Sequence, residues 1–560
     1  MKDLILPIIT AAIEKAHTAG KLKSSPSNVT VGTEAPKDPS HGDIASNVAL
    51  TLARAEGKAP RAIAEVIREH IELPDEVKEV AVAGPGFINF RMAARYWHRE
   101  MRRAVAEGRN YFRPRKWQLR DGGSDSIQVE FLSANPTGPL TVGHGRNAVL
   151  GDTIARLYEA AGFKVSREYY FNDGGRQMRL LGESVQVRYL QALGREAVLP
   201  KDGYQGEYIK EIAAALKNEH GDQLADLEDR EIFRAAAVKA IFAEILATCK
   251  TLLIHFDTFK NELDLVRDGR VERVISGLEQ RGLVVKHDGA LWLKAEPLGL
   301  PKDRVIVRSG DDADPIYRTP DIAYHIEKIE RGFDLIVDVF GADHIAEHED
   351  VIAAVKALGH DTSRIKAIIY QFVTLTRAGE KVKMSTRKAT YVTLDELIEE
   401  VGVDVVRFFF LFRKHNSQLD FDLELAKKQA PENPVFYVQY AHARLASVFR
   451  EAEKAGLTLP DDTSQIDLTL LSDEELDLAK RVLDYPEIAT GAAQALEPHR
   501  IPFYLLELAG EFHRYYNKPA NRIIGPEREL SLSRLYLANL MKTGIGLGLE
   551  LLGVAAPDRM

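Results

Sequence analysis

Residues 127–147, Ile-Gln-Val-Glu-Phe-Leu-Ser-Ala-Asn-Pro-Thr-Gly-Pro-Leu-Thr-Val-Gly-His-Gly-Arg-Asn, pass from an apolar strand through a Gly/Pro-rich loop into the start of a helix. The helix goes on, because Leu150, Ile154, Leu157, Tyr158 and Ala161 recur at helical spacing and Gly162 falls just past its end. Phe163–Phe171 then alternates as a second strand and closes at Asn172-Asp-Gly-Gly175. Strand, crossover helix and strand imply parallel pairing, with ligands at the carboxyl ends of the strands. At the start of the helix, exposed backbone N–H groups and the positive end of the dipole favour an anion such as a triphosphate. Gly143 lets the backbone approach it closely, and His144 can donate to a phosphate oxygen.

A rival reading occupies the same residues. Gly143-His-Gly-Arg-Asn-Ala148 fits the dinucleotide fingerprint G-x-G-x-x-A, with Glu168 downstream for a ribose contact. An NAD-dependent oxidoreductase would follow from it. That fingerprint needs a tight turn directly after the strand, whereas the ten residues Ser133–Val142 intervene here, two of them prolines.

More than two hundred residues later, Lys383-Met-Ser-Thr-Arg387 follows the turn Arg377-Ala-Gly-Glu380 and precedes the capping box Thr393-x-x-Glu396. Cations on a loop that can close suit phosphoryl chemistry, where negative charge moves toward a leaving pyrophosphate. Together with Thr141-Val-Gly-His144, this loop resembles the H-I-G-H and K-M-S-K-S signatures of class I aminoacyl-tRNA synthetases. The flanks of the first motif are most similar to arginyl-tRNA synthetases of bacterial type. The resemblance implies catalytic roles for His144, Thr141, Lys383, Ser385 and Arg387. It implies ATP contacts from Gly143, Gly145, His144, Lys383, Met384 and Ser385. Two positions depart from the pattern, since Thr141 stands for the first histidine and Thr386 for a lysine. Some arginyl enzymes that lack this lysine carry one just ahead of the first motif, where this chain has Gly138. Arg387 and Lys388 are the nearest substitute cations.

A guanidinium is planar, always charged and best held by carboxylates in a fork geometry. Glu130-x-x-x-x-Asn135 and Tyr317-Arg-Thr-Pro-Asp321, each expected at a strand end, match the arginine pocket of the family. By that resemblance Glu130 and Asp321 hold the guanidinium, Tyr317 lines it and Asn135 takes the α-amino group. His344, in Gly341-Ala-Asp-His344, falls near a further substrate contact. Alternatively, Asp321 merely caps a helix over Ile322–Ile329.

The expected fold class is α/β. A Rossmann-like parallel-sheet catalytic domain (127–430) carries an insertion at about 185–300, read from charged helical stretches such as Tyr208–Leu216 and Asp229–Leu253. Arg304–Arg308 and Leu335–Phe340 are the strands with which the parallel fold resumes. A small N-terminal α/β add-on domain (1–108) has helices over Leu4–Ala16, Val48–Ala55 and Ala62–Ile71 and strands over Val77–Val82 and Phe87–Phe90. Asp38–Asn47 reads as a polar loop. A basic linker (109–126) follows, and an all-helical domain (431–560) closes the chain. The segment Asn433–Arg444, Glu497-Pro-His-Arg-Ile501, Phe512–Asn517 and Gly553–Met560 resemble the anticodon-binding domain of arginyl-tRNA synthetases.

Net charge is −9, so a polyanionic partner would have to be met by local patches. One candidate lies between Arg91 and Arg120, where ten Arg/Lys face two acids, with Tyr96, Trp97, Tyr111, Phe112 and Trp117 interleaved. Bases could stack on such aromatics while the cations hold phosphates, or the aromatics could pack inward beneath a solvated helix. Pro498–Lys542 is a second, with seven Arg/Lys against four acids and Tyr515, Tyr516 and Tyr536 as stacking candidates. The lone Cys249 excludes internal disulfides and cysteine-based zinc clusters, fits a reducing cytoplasm, and leaves no zinc expected. No apolar run approaches the roughly 20 residues of a membrane span, and no membrane partner is expected.

The function implied is arginine–tRNA ligase: ATP with Mg²⁺ activates L-arginine, and the arginyl group passes to the terminal adenosine of tRNA(Arg). A cytoplasmic monomer is expected. Thr141 and Thr386 leave room for an RNA-binding homologue that no longer catalyses.

Overall fold

In the computed structural model the residues described are 1–29, 31–34, 36, 38–308, 318–382 and 392–560. They form two compact units.

The first unit comprises Met1–Phe112, Val448–Asp484 and Tyr515–Thr543. Its antiparallel sheet has the order Thr33–Glu34, Ile44–Ser46, Phe87–Met92, Val77–Ala83. Ile44–Ser46 corrects the sequence reading of 38–47 as loop, since Ile44 pairs with Phe90 and Ser46 with Ile88. Three residues are too few to show a period. Helix Ala94–Glu107 buries Tyr96, Trp97, Met101 and Ala104 on one face. Tyr111 and Phe112 are buried as well, so these aromatics of the basic segment are core and offer no stacking surface. Its cations are largely engaged by acids: Arg103 reaches Glu107 at 2.6 Å, Arg95 reaches Asp75 at 2.9 Å and Arg99 reaches Glu76 at 3.1 Å. Tyr515 and Tyr536 are buried too, their hydroxyls donating to Glu475 Oε1 (2.7 Å) and the Met101 carbonyl (3.3 Å). A hydroxyl satisfied inside the core is what a buried tyrosine requires, and it removes both rings as base platforms.

The second unit comprises Arg113–Ser447, Tyr485–Arg514 and Gly544–Met560. Trp117 packs here against Phe163, with ring centroids 4.9 Å apart. Five strands form an all-parallel sheet in the order Ile365–Tyr370, Leu335–Gly341, Ser126–Glu130, Lys164–Phe171, Thr258–Asn261. Ser126–Glu130 is central and buried by helices on its faces, hence the apolar Ile127 and Val129. Two expectations are corrected. Thr258–Asn261, inside the stretch read as insertion, is the edge strand of the main sheet. Arg304–Val307 pairs antiparallel with Ala290–Leu293, in a separate three-stranded sheet with Val284–His287. Thr258–Asn261 is a four-residue strand whose polar residues hide the period, whereas Arg304–Val307 is the strand expected and differs only in its partner, which local spacing does not reveal.

Helix Val142–Ala160 lies close on the central strand because Gly151 has no side chain; a Cβ there would stand 2.2 Å from Phe131 Cβ. Beneath it Asp152, fully buried, accepts from Arg407 (2.6 Å) and Arg156 (2.7 Å). Among the described residues, no helix is long and apolar enough to cross a membrane.

Candidate functional site

A cavity of about 930 Å³ opens at the carboxyl ends of the parallel strands. It is bounded by Glu130 from the central strand, Gly143 and His144 from the helix start, and Asp321, His344 and Glu347 from the later elements. Its position is the one the parallel topology requires.

Thr141 is the N-cap of the helix: its Oγ1 accepts from the His144 N–H (3.5 Å), and its own N–H donates to His144 Nδ1 (3.2 Å). Since Nδ1 accepts, the neutral ring carries its proton on Nε2, where it can donate. Burial lowers the His144 pKa to about 4, against a small opposing pull from Asp343, so the ring is neutral near pH 7. The hydroxyl of Thr141 thus serves the helix end. Gly143 faces open space, since a Cβ there would meet only Thr141 Oγ1, at 3.7 Å. Gly145 points elsewhere; a Cβ would strike Leu394 Cδ1 at 2.5 Å and Phe410 at 2.9 Å. Its lack of a side chain serves packing.

Glu130 ends its strand with Oε1 accepting from Ser133 Oγ at 2.9 Å and Oε2 accepting from Lys328 Nζ. Lys328, fully buried, also donates to Asp338 Oδ1 at 2.7 Å and lies 4.2 Å from the Tyr324 ring centroid. Burial alone would lower the pKa of this ammonium, but Asp338 and Glu130 outweigh it and raise it. Burial would likewise raise the Asp338 carboxyl, yet Lys328 and His325 hold it well below the usual range.

Asp321 lies in the first turn of helix Arg318–Glu330, so the expected strand end is corrected to a helix start. Its carboxylate has no hydrogen-bond or ion-pair partner among the described residues. Burial, then the neighbouring Glu262, Glu130 and Glu347, push its pKa well above the usual range, with Lys328 only a partial offset. Glu262 follows the edge strand and accepts from Tyr170 Oη (3.2 Å) and Asn172 Nδ2 (2.8 Å). Burial raises its pKa to about 7. Asn135 accepts from the Asn172 N–H at 3.2 Å and donates to Gln177 at 3.1 Å. His344 Nδ1 pairs with Glu347 at 2.9 Å, a bond that raises the His344 pKa.

The structure therefore brings together Glu130, Asn135, Thr141, Gly143, His144, Asp321 and His344. Tyr317 and Lys383, Met384, Ser385, Thr386 and Arg387 lie outside the described residues. Glu262, Glu347, Lys328, His325 and Asp338 were missed. Asp321, Tyr324, His325 and Lys328 recur at i, i+3, i+4 and i+7, a polar stripe on one helix face that was legible in the sequence. Glu262 gave no such signal, because its strand was not recognised.

His325, Asp338 and His348 offer ligand atoms within 4.8 Å of one another. His325 Nδ1 must donate to the Asp321 carbonyl (2.7 Å), leaving Nε2 3.1 Å from Asp338 Oδ2 with a proton or cation between them. The Lys328 ammonium already occupies the other oxygen of Asp338, so a dication here would be placed against a fixed positive charge. The group fits a proton better than a metal. The oxidoreductase reading also loses its ribose contact: Glu168 is fully buried, gripped by Arg331 (2.6 Å) and accepting from Tyr324.

Comparisons with known proteins agree with this geometry. Residues 3–92 match the arginyl tRNA synthetase N terminal domain, 112–408 the class I (R) tRNA synthetase catalytic domain and 438–560 the DALR anticodon binding domain. An arginine–tRNA ligase of Desulfotalea psychrophila is 47% identical over 528 residues, covering 94% of each chain. One of Salinibacter ruber is 48% identical over 555 residues, covering 96% of this chain and 97% of the relative. Among solved structures, the arginyl-tRNA synthetase of Thermus thermophilus superposes with a TM-score of 0.72 at 26% identity, over 98% of this chain and 99% of that one. With near-complete coverage by relatives and by the family's domains, the chain belongs to the arginyl-tRNA synthetases, the class I arginine–tRNA ligases.

Proposed function

We propose that the acidic half of the cavity holds the guanidinium of L-arginine and that the half at the helix start holds the triphosphate of ATP. A carboxylate oxygen of arginine attacks the α-phosphorus of ATP, and the bond to the bridging oxygen breaks so that pyrophosphate leaves with the electron pair. The 2′-hydroxyl of the terminal adenosine of tRNA(Arg) then attacks the carbonyl carbon of arginyl-adenylate, releasing AMP and the hydroxyl proton. No covalent nucleophile is needed from the protein, so the gain is positioning plus charge stabilisation, with Mg²⁺ travelling on the phosphates. His144 Nε2–H and the N–H groups at the helix start are the donors, and Lys383, Ser385 and Arg387 are assigned the opposite side. Asp321 and Glu130 anchor the guanidinium, Tyr317 lines it, and Asn135 and His344 contact the amino-acid end. Residues 1–108 and 431–560 are assigned to tRNA.

The observation that carries this reading is Asp321: a partly buried carboxylate with no hydrogen-bond or ion-pair partner among the described residues, crowded by Glu262, Glu130 and Glu347. Such a group calls for a cation of fixed charge. The test is arginine-dependent ATP–pyrophosphate exchange in the presence of total tRNA, run with arginine, lysine and citrulline. Exchange with arginine alone is expected. Equal exchange with citrulline would overturn the charge-based pocket, and no exchange at all would favour the non-catalytic alternative.

A further inference from the structure

The loop between the central strand and the helix start is strained at its entry. Leu132 and Ser133 have φ of 67° and 41°, in the left-handed region that side chains rarely adopt. Such a backbone persists only where its surroundings hold it. The core restrains its first part: Asn147 Oδ1 accepts from the Leu132 N–H at 2.6 Å, Ser133 Oγ from the Tyr170 N–H at 3.2 Å and Asn135 Oδ1 from the Asn172 N–H at 3.2 Å, and Tyr169 Oη donates to the Ala134 carbonyl at 2.7 Å. Further along, where the loop has left the core, the restraint comes from elsewhere. Tyr208, at the start of helix Glu207–His220, donates its hydroxyl to the Thr137 carbonyl at 2.6 Å.

Two glycines make room for this contact. A Cβ on Gly138 would stand 3.0 Å from Tyr208 Oη and 3.1 Å from Cζ, so the phenol lies against bare backbone. A Cβ on Gly206 would stand 2.2 Å from Tyr208 Cε1, so the ring can fold back over its own chain only because residue 206 has no side chain. The loop restrained in this way begins at Asn135 and ends at Thr141, the cap of the phosphate-binding helix.

We infer that Tyr208 is a positioning residue for the activation step: a latch from the inserted helices that fixes the loop joining the amino-acid contacts to the phosphate-binding helix start. The inference rests on the function proposed above. It also bears on position 138, because any side chain there would press on the phenol and shift it by a few tenths of an ångström.

The test uses the full-length protein with Tyr208→Phe, which keeps the ring and removes only the hydroxyl. Arginine-dependent pyrophosphate exchange is measured alongside melting temperature. One hydrogen bond at the loop corresponds to a loss on the order of five-fold in kcat/KM for arginine. The melting temperature should stay near wild type and the KM for ATP should be little changed. Gly138→Ala, which presses on the same phenol, should reproduce the defect. Combined with Tyr208→Phe it should cost less than the sum of the two, because both act on one contact. Wild-type kinetics in Tyr208→Phe would overturn the inference, as would a fall in melting temperature with unchanged constants per folded molecule. Fully additive effects of the two variants would also overturn it. If wild-type protein itself shows no arginine-dependent exchange, the failure lies with the proposed function and not with the latch.

Discussion

Asp321→Asn keeps the shape of the side chain and removes its charge. A carboxylate and a guanidinium about 4 Å apart at an effective dielectric near 20 attract by roughly 4 kcal/mol. Part of that is returned as desolvation, and truncating one partner of a buried charge pair costs about 2–5 kcal/mol in practice. Taking about 3 kcal/mol, the arginine KM should rise on the order of a hundredfold, with the KM for ATP nearly unmoved. In the free protein the sign reverses. Asp321 lies among Glu262, Glu130 and Glu347, which push its pKa up, so removing its charge relieves repulsion and the melting temperature without ligand should rise. Citrulline, which carries no cation, should bind the variant and the wild type about equally. The assays are pyrophosphate exchange with both amino acids and thermal melts with and without arginine. A helix-capping role for Asp321 predicts the opposite pair of results, a lower melting temperature with normal arginine KM, and that outcome would refute the reasoning.

Glu262→Gln should flatten the pH dependence of arginine binding. The native pKa of Glu262 is raised from 4.5 to about 7, so its contribution to stability is present in acid and is lost as pH climbs through that window, while its charge becomes available to a cation. Wild-type arginine KM should therefore fall between about pH 6 and 8, read by exchange assays across that range, and the variant should lose most of the slope. His144→Ala should slow adenylate formation by roughly two to three orders of magnitude, the value of one donor to developing charge, while tRNA affinity measured by filter binding stays put. Because burial holds His144 neutral, with a pKa of about 4, the wild-type rate should show no histidine-like inflection near pH 6.5 traceable to it, and such an inflection vanishing in the variant would contradict the assignment. Thr386→Lys should retain or raise single-turnover activation, whereas Arg387→Ala should depress it severely. A silent Arg387→Ala beside a severe Lys388→Ala would move the role to the neighbour.

The fold was legible where elements are long and periodic. Ile127–Leu132, the helix from Leu150 to Ala161 and Phe163–Phe171 are each long enough for their spacing to decide them, and the parallel pairing followed. It was illegible at Thr258–Asn261 and Ile44–Ser46, where three or four residues cannot display a period, and at Arg304–Val307 the strand was legible but its antiparallel partner, set by pairing elsewhere in the chain, was not. The site divides in the same way. Glu130, Asn135, His144 and Asp321 lie in recognisable local patterns, and Lys328 shares a helical stripe with Asp321, whereas Glu262 enters through tertiary packing. The aromatics show the limit of composition: Tyr96, Trp97, Tyr515 and Tyr536 sit among cations in the sequence yet are buried in the core. Sequence proximity to charge does not reveal which face of a helix a ring occupies.

The excess of carboxylates in the cavity has a thermodynamic consequence for substrate order. Glu130, Glu262, Asp321 and Glu347 border the space proposed for the substrates, and among the described residues that line it there is no lysine or arginine. To the extent that these acids are ionised, the empty cleft disfavours a nucleotide, and a bound guanidinium offsets part of their charge. Arginine should thus recruit ATP, and by reciprocity ATP should hold arginine in place by the same factor. The two substrates become mutual effectors through a shared electrostatic field, without any movement of the protein.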